Sequence, residues 1–164
     1  MLYKYPLIMA KGMECTNYRC DITTKASVES IYRALTTEFD RWWTAPDKPI
    51  KRVGDVARFG FPPMESYWTF KAIELVPNKL VVLSCIDAYH LHEGMPDKSK
   101  TEWLDTQIVW SIESGEQLNS LHFEHRGLAP DLLCYEVCSA GWDFFYRQSL
   151  QEYLDTGVGR PHVG

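Results

Sequence analysis

The hydrophobic period of this chain changes in a fixed order, from strand to helix to a long run of strands to one final helix, and that order constrains its fold more than any other feature. Tyr18, Cys20 and Ile22 alternate with Arg19, Asp21 and Thr23, the period of a strand with one buried face. Ser27 then offers a capping hydroxyl, and Val28, Ile31 and Leu35 recur at helical spacing. Residues 38–44 read as a second short helix carrying Trp42 and Trp43. Pro46 and Pro49 stop it, because proline lacks the amide donor and restricts the residue before it.

From Gly54 onward the period is that of strands. Residues 56–61 form a short β run ended by Pro62 and Pro63, and residues 67–76 a longer one rich in aromatic and β-branched side chains. Pro77, Asn78 and Lys79 are turn residues, so the apolar run 80–86 returns as the second arm of a hairpin. Residues 87–100 are polar and contain Gly94 and Pro96, which predicts a mobile loop or flap at the rim of a site. Thr106, Ile108, Trp110 and Ile112 then alternate with polar or smaller neighbours, residues 114–116 turn the chain, and residues 118–126 complete a second hairpin. After Pro130 and Asp131 the period lengthens once more: Trp142, Tyr146, Leu150 and Tyr153 form one helical stripe with Cys138 and Phe145 beside it. Gly157 and Pro161 mark its end.

Strands joined by short turns imply an antiparallel meander, which must cover its apolar face with the helices. The expected architecture is therefore α+β: a curved antiparallel sheet of about six strands wrapped on a long C-terminal helix, with two short helices after the first strand. One helix over a strongly twisted sheet fills the centre poorly, so an apolar cavity is expected between them. A chain of 164 residues suffices for one full core. Residues 15–164 are assigned to a single domain, preceded by an N-terminal extension, residues 1–14, that has no secretory h-region.

A formal charge of −5 without a basic stripe argues against nucleic acid as a partner, and no segment approaches the length of a membrane span. Cys15, Cys20, Cys85, Cys134 and Cys138 are odd in number and fit no disulfide framework or paired zinc motif. They read as reduced thiols of a cytoplasmic protein.

Several short motifs occur in an order that is familiar. They are Asp40-Arg41-Trp42-Trp43, Val53-Gly54-Asp55, Glu74-Leu75-Val76-Pro77-Asn78-Lys79-Leu80-Val81, His125-Arg126-Gly127-Leu128, and Gly141-Trp142 followed by residues 149–157. Together they resemble the START-like (SRPBCC) superfamily, in particular the branch named after the activator of the heat shock protein 90 ATPase. The resemblance spans about residues 18–157, and the pattern in the last helix is its most specific piece. It implies the helix-grip fold and, as in many relatives, a hydrophobic ligand in the cavity. No preceding domain able to span a chaperone dimer is expected, which argues against direct chaperone activation.

The aromatic residues on the enclosing elements are the candidate ligand site: Trp43, Trp68, Phe70, Trp110, Phe123, Trp142, Phe145 and Tyr146. The expected ligand is a small hydrophobic molecule, lipid-like or aromatic. The alternatives are a cyclase- or hydratase-type enzyme in the same cavity, with His122 or His125 and a tyrosine as acid and base, and a protein-interaction module related to chaperone activation, with a protein partner or a second copy of the chain. No nucleophile elbow, P-loop, dinucleotide fingerprint or paired-carboxylate motif is present, so no cofactor is expected. His90, His92 and Glu93 place three possible metal ligands within four residues. A closed site needs a distant fourth group that the sequence does not identify, so this segment reads as a solvated loop without a metal.

Overall fold

The computed structural model describes residues 16–164; residues 1–14 and Cys15 lie outside the described region. The first strand, β1 (Tyr18–Thr24), has its predicted alternation of buried and exposed residues. Ser27 caps α1 (Val28–Ala34), its hydroxyl accepting from the Ser30 amide at 3.0 Å. The second predicted helix is a single 3-10 turn, Phe39–Arg41. It does not extend through Trp42, whose backbone leaves the helical region and whose indole N–H donates to the Ala34 carbonyl at the end of α1.

Five strands follow: β2 (Val56–Gly60), β3 (Tyr67–Val76), β4 (Leu80–Tyr89), β5 (Gln107–Glu113) and β6 (Asn119–Arg126). All pair antiparallel in the order β1-β6-β5-β4-β3-β2, so the segment holding α1 and the 3-10 turn carries the chain from one sheet edge to the other. Register shifts between Thr69 and Phe70 and between Ala72 and Glu74 interrupt the β3–β4 ladder. Such bulges sharpen the local twist and bend the sheet around what it covers. Asn78 takes positive φ in the β3–β4 turn, a conformation asparagine tolerates better than most residues.

The C-terminal helix runs without a break over residues 135–156, as α2 (Tyr135–Trp142), a π-helical stretch (Asp143–Leu150) and α3 (Gln151–Thr156). Glu102 caps its start from outside, its carboxylate accepting from the amides of Leu133 and Cys134 at 2.9 Å each. Gly157 ends it at φ 87°, the left-handed stop expected of glycine. The tail then folds back: the Arg160 amide donates to Ser149 Oγ and the His162 amide to the Trp43 carbonyl. No helix among the described residues is long and apolar enough to cross a membrane.

Candidate functional site: an aromatic pocket at one end of the grip

The expected stripe of the last helix faces the sheet, with Trp142, Tyr146 and Leu150 buried. The space beneath it is filled by rings. Trp110 stacks on Phe123 at 5.4 Å between centroids, and Phe123 meets Trp142 at 4.8 Å and Tyr146 at 4.7 Å. From the other side Phe39, Trp42, Phe59 and Phe70 complete the cluster. The centre, predicted to be hollow, is therefore packed, because flat rings interlock at angles that aliphatic side chains cannot match.

Space lined by rings remains toward the end of the sheet where β3 begins and β4 finishes. There a pocket of about 270 Å3 opens between the sheet and α2. Trp43, Trp68, Trp103 and Trp142 form its floor and Phe61 and Phe145 its sides. Its rim holds Met64, Leu91 and Val137, all exposed. Gly141 belongs to the helical wall, and a Cβ there would meet no atom within 4 Å. Its polar lining is Ser66, His92 and Cys138.

Of the eight predicted ligand-site residues, Trp43, Trp68, Trp142 and Phe145 are on the pocket wall. Phe70, Trp110, Phe123 and Tyr146 are not: they belong to the packed centre. Trp103 was missed by periodicity because it stands alone in the connection between β4 and β5. It is nonetheless a hub, 4.7 Å from Trp68, 4.5 Å from His125 and stacked on Trp142 at 5.8 Å. The available signal was an unexplained tryptophan in a polar segment.

The two histidines considered for catalysis lie on opposite faces of β6. His122 is on the outer face, where its ring nitrogens meet Glu113 and Asp21 at 3.1 Å each, and these hydrogen bonds, the one to Glu113 foremost, raise its pKa. His125 is fully buried, and burial pushes its pKa down to about 3. Its Nδ1 accepts from the Trp142 indole at 3.0 Å, which assigns the proton to Nε2, and Nε2 then donates to Thr106 Oγ1 at 2.9 Å. Both nitrogens are occupied, and neither His122 nor His125 lines the pocket.

The loop after β4 departs from expectation in a different way. The strand continues to Tyr89, and His90, predicted in a solvated loop, is fully buried against Trp68 at 5.3 Å. Burial, with a smaller contribution from His92, brings its pKa down to about 4. His90 Nδ1 and His92 Nε2 face one another at 2.7 Å, and His92 Nε2 lies 3.9 Å from Cys138 Sγ. Glu93 is exposed and does not belong to this group. Cys138 takes a hydrogen bond from Cys134, one helical turn earlier, and one from Trp103 Nε1 at 3.2 Å. The bond from Cys134 holds the Cys138 thiol below the ordinary range, while Cys134, as the donor, is pushed up. Cys20, Cys85, Cys134 and Cys138 are all free and buried.

A curved antiparallel sheet closed by one C-terminal helix, with an aromatic pocket in the grip, defines a protein of the START-like, helix-grip class. Within that class, the chain belongs to the family described as Activator of Hsp90 ATPase homolog 1-like protein, whose model matches residues 25–155. Among solved structures it is similar to the Aha1 dimer from Colwellia psychrerythraea, with 30% identity, a TM-score of 0.68, and coverage of 87% of this chain and 98% of that one. DynU16, a protein of the dynemicin biosynthetic locus, shares the fold at 17% identity and a TM-score of 0.65; the match covers 86% of this chain and 48% of that one. A protein from Mesorhizobium loti does so at 18% identity and a TM-score of 0.62, over 79% of this chain and 92% of that one. The comparison with curated proteins finds no match.

Proposed function

We propose that this protein binds a small, flat, apolar molecule in the pocket between β3 and α2. The observation that carries this reading is the wall itself: four tryptophans and two phenylalanines enclose a space with three polar side chains at its edge. A dry cavity of about 150 Å3 holds benzene. About 270 Å3 therefore suits a one- or two-ring aromatic or a short acyl chain, and is too small for a whole lipid. Affinity then comes from apolar area removed from water, which salt barely changes.

The test is a titration with a flat bicyclic fluorescent probe at low and high salt, read by quenching of tryptophan emission. Saturation that is the same in both buffers is expected. A folded protein that shows no saturation would sink the reading.

A second reading, an enzyme of the cyclase or hydratase type, is favoured by one observation: two titratable groups, His92 and Cys138, meet at the pocket wall. They replace His122 and His125 as its candidates. If it holds, alkylation of the Cys138 thiol follows a pH profile shifted below that of an ordinary cysteine and is slowed by the pocket probe. Self-association is the third element of the proposal, because the similar protein from Colwellia psychrerythraea, matched over 98% of its length, is a dimer. Light scattering at micromolar concentration should give twice the chain mass, and a monomer would remove it.

A further inference from the structure

Residues from two distant parts of the chain converge beside the pocket. His90 Nδ1, His92 Nε2 and Cys138 Sγ lie within 4.8 Å of one another. In a tetrahedral zinc site, with bonds of about 2.0 Å to nitrogen and about 2.3 Å to sulfur, ligand atoms stand roughly 3.3 to 3.6 Å apart. The two separations through His92 are 2.7 Å and 3.9 Å, on either side of that range, and the His90–Cys138 pair is held only within 4.8 Å. His92 sits outside any strand and is only half-buried, so its ring has room to adjust around an ion. His90 packs against Trp68 and Cys138 stands on α2; an ion bound by both would draw their ligand atoms closer together than they stand without it.

The donor set is selective. Two imidazoles and a thiolate suit zinc and its close relatives, and not magnesium or calcium, which take oxygen. Trp103 Nε1 donates to the sulfur at 3.2 Å, the kind of outer hydrogen bond that orients a ligating thiolate.

We propose that His90, His92 and Cys138 bind one zinc ion at the wall of the pocket, leaving the fourth position to water or to a polar atom of the pocket ligand. Three protein ligands and one exchangeable position are the arrangement of an open zinc site. His92 and Cys138 both line the pocket, so the ion is within reach of what enters it. With two neutral imidazoles and one thiolate the site keeps a single net positive charge. If the pocket reading also holds, the favoured ligand is an apolar ring or short chain ending in a carboxylate or another anionic, metal-binding group.

Cobalt is the probe. The full chain, reduced and stripped with chelator, is titrated with Co2+ without any pocket ligand. One equivalent should produce a thiolate-to-cobalt charge-transfer band and the intense visible bands of a four-coordinate ion, both erased by Zn2+. Cys138→Ser should abolish the charge-transfer band. His92→Ala, in a loop where folding is not at stake, should weaken binding by more than the roughly 10- to 100-fold that follows loss of an outer hydrogen bond. His122→Ala, on the opposite face of the sheet, should change nothing. A folded wild type without the charge-transfer band overturns the proposal, and so does a band that survives in Cys138→Ser or an affinity that His92→Ala leaves intact. The fluorescent-probe titration is independent of this one, so failure of the metal site leaves the apolar pocket standing.

Discussion

His125 and Trp142 share one hydrogen bond, and each limits what the other can do. The indole N–H occupies His125 Nδ1 and removes that histidine from acid–base work, while the imidazole gives a buried tryptophan its only polar partner. Replacing Trp142 by Ala removes the ring from both the core and the pocket floor and leaves His125 short of a donor. The expected cost is about 3 to 5 kcal/mol, read as a lower urea midpoint. An unchanged midpoint would contradict the packing described. The buried histidines also set a pH dependence. His90 and His125 have folded pKa values of about 4 and about 3, below the ordinary 6.5, so between those limits the unfolded chain binds more protons than the native one. Stability therefore falls as pH drops below about 6.5, by up to about 1.4 kcal/mol per pH unit for each group. His122 has the opposite sign but is exposed and screened. Urea midpoints should decline between about pH 7 and about pH 5.5, before most carboxylates titrate. A flat profile there would show that these two histidines are not buried in the neutral form.

At the scale of the element, the C-terminal helix shows why a strong periodic signal can place a helix correctly and its pocket incorrectly. The stripe from Trp142 to Tyr153 was legible from spacing alone. Which stripe residues face a void depends on what stands opposite, and Phe123 fills the space before Tyr146 while no ring fills the space before Gly141. Glycine within a helix costs roughly 1 kcal/mol relative to alanine. Packing does not require it at position 141, since an added Cβ meets nothing, and the open space there is the pocket. Gly141→Leu should therefore raise the melting temperature slightly and abolish saturable probe binding. Undiminished probe affinity in this variant would mean that the ligand sits elsewhere. The π-helical stretch that begins at Asp143 adds a second irregularity beside the site and carries Phe145 on the pocket side.

At the scale of the whole molecule, the tail closes the structure from the side of the pocket. Arg160 and His162 tie it to Ser149 and Trp43, His162 Nε2 lies 2.6 Å from the Pro62 carbonyl oxygen, and the His162 ring packs on Phe61 at 5.1 Å. Removing residues 158–164 deletes these contacts. At the usual net value of about 0.5 to 1.5 kcal/mol for each of these three hydrogen bonds, the loss should be roughly 1.5 to 4.5 kcal/mol, with weaker probe binding because Phe61 loses its support. A truncated chain as stable as the full one would place the tail outside the fold. The sequence by itself determined the order of strands and helices, the antiparallel meander and the terminal helix, because each rests on the period of apolar residues within a short segment. Only the tertiary structure decided where space remains and which polar atoms meet. Ring interlocking is settled by many side chains at once. The approach of His90 and His92 to Cys138 spans the β4–β5 connection, both strands of a hairpin and the start of a helix, and no local pattern encodes it.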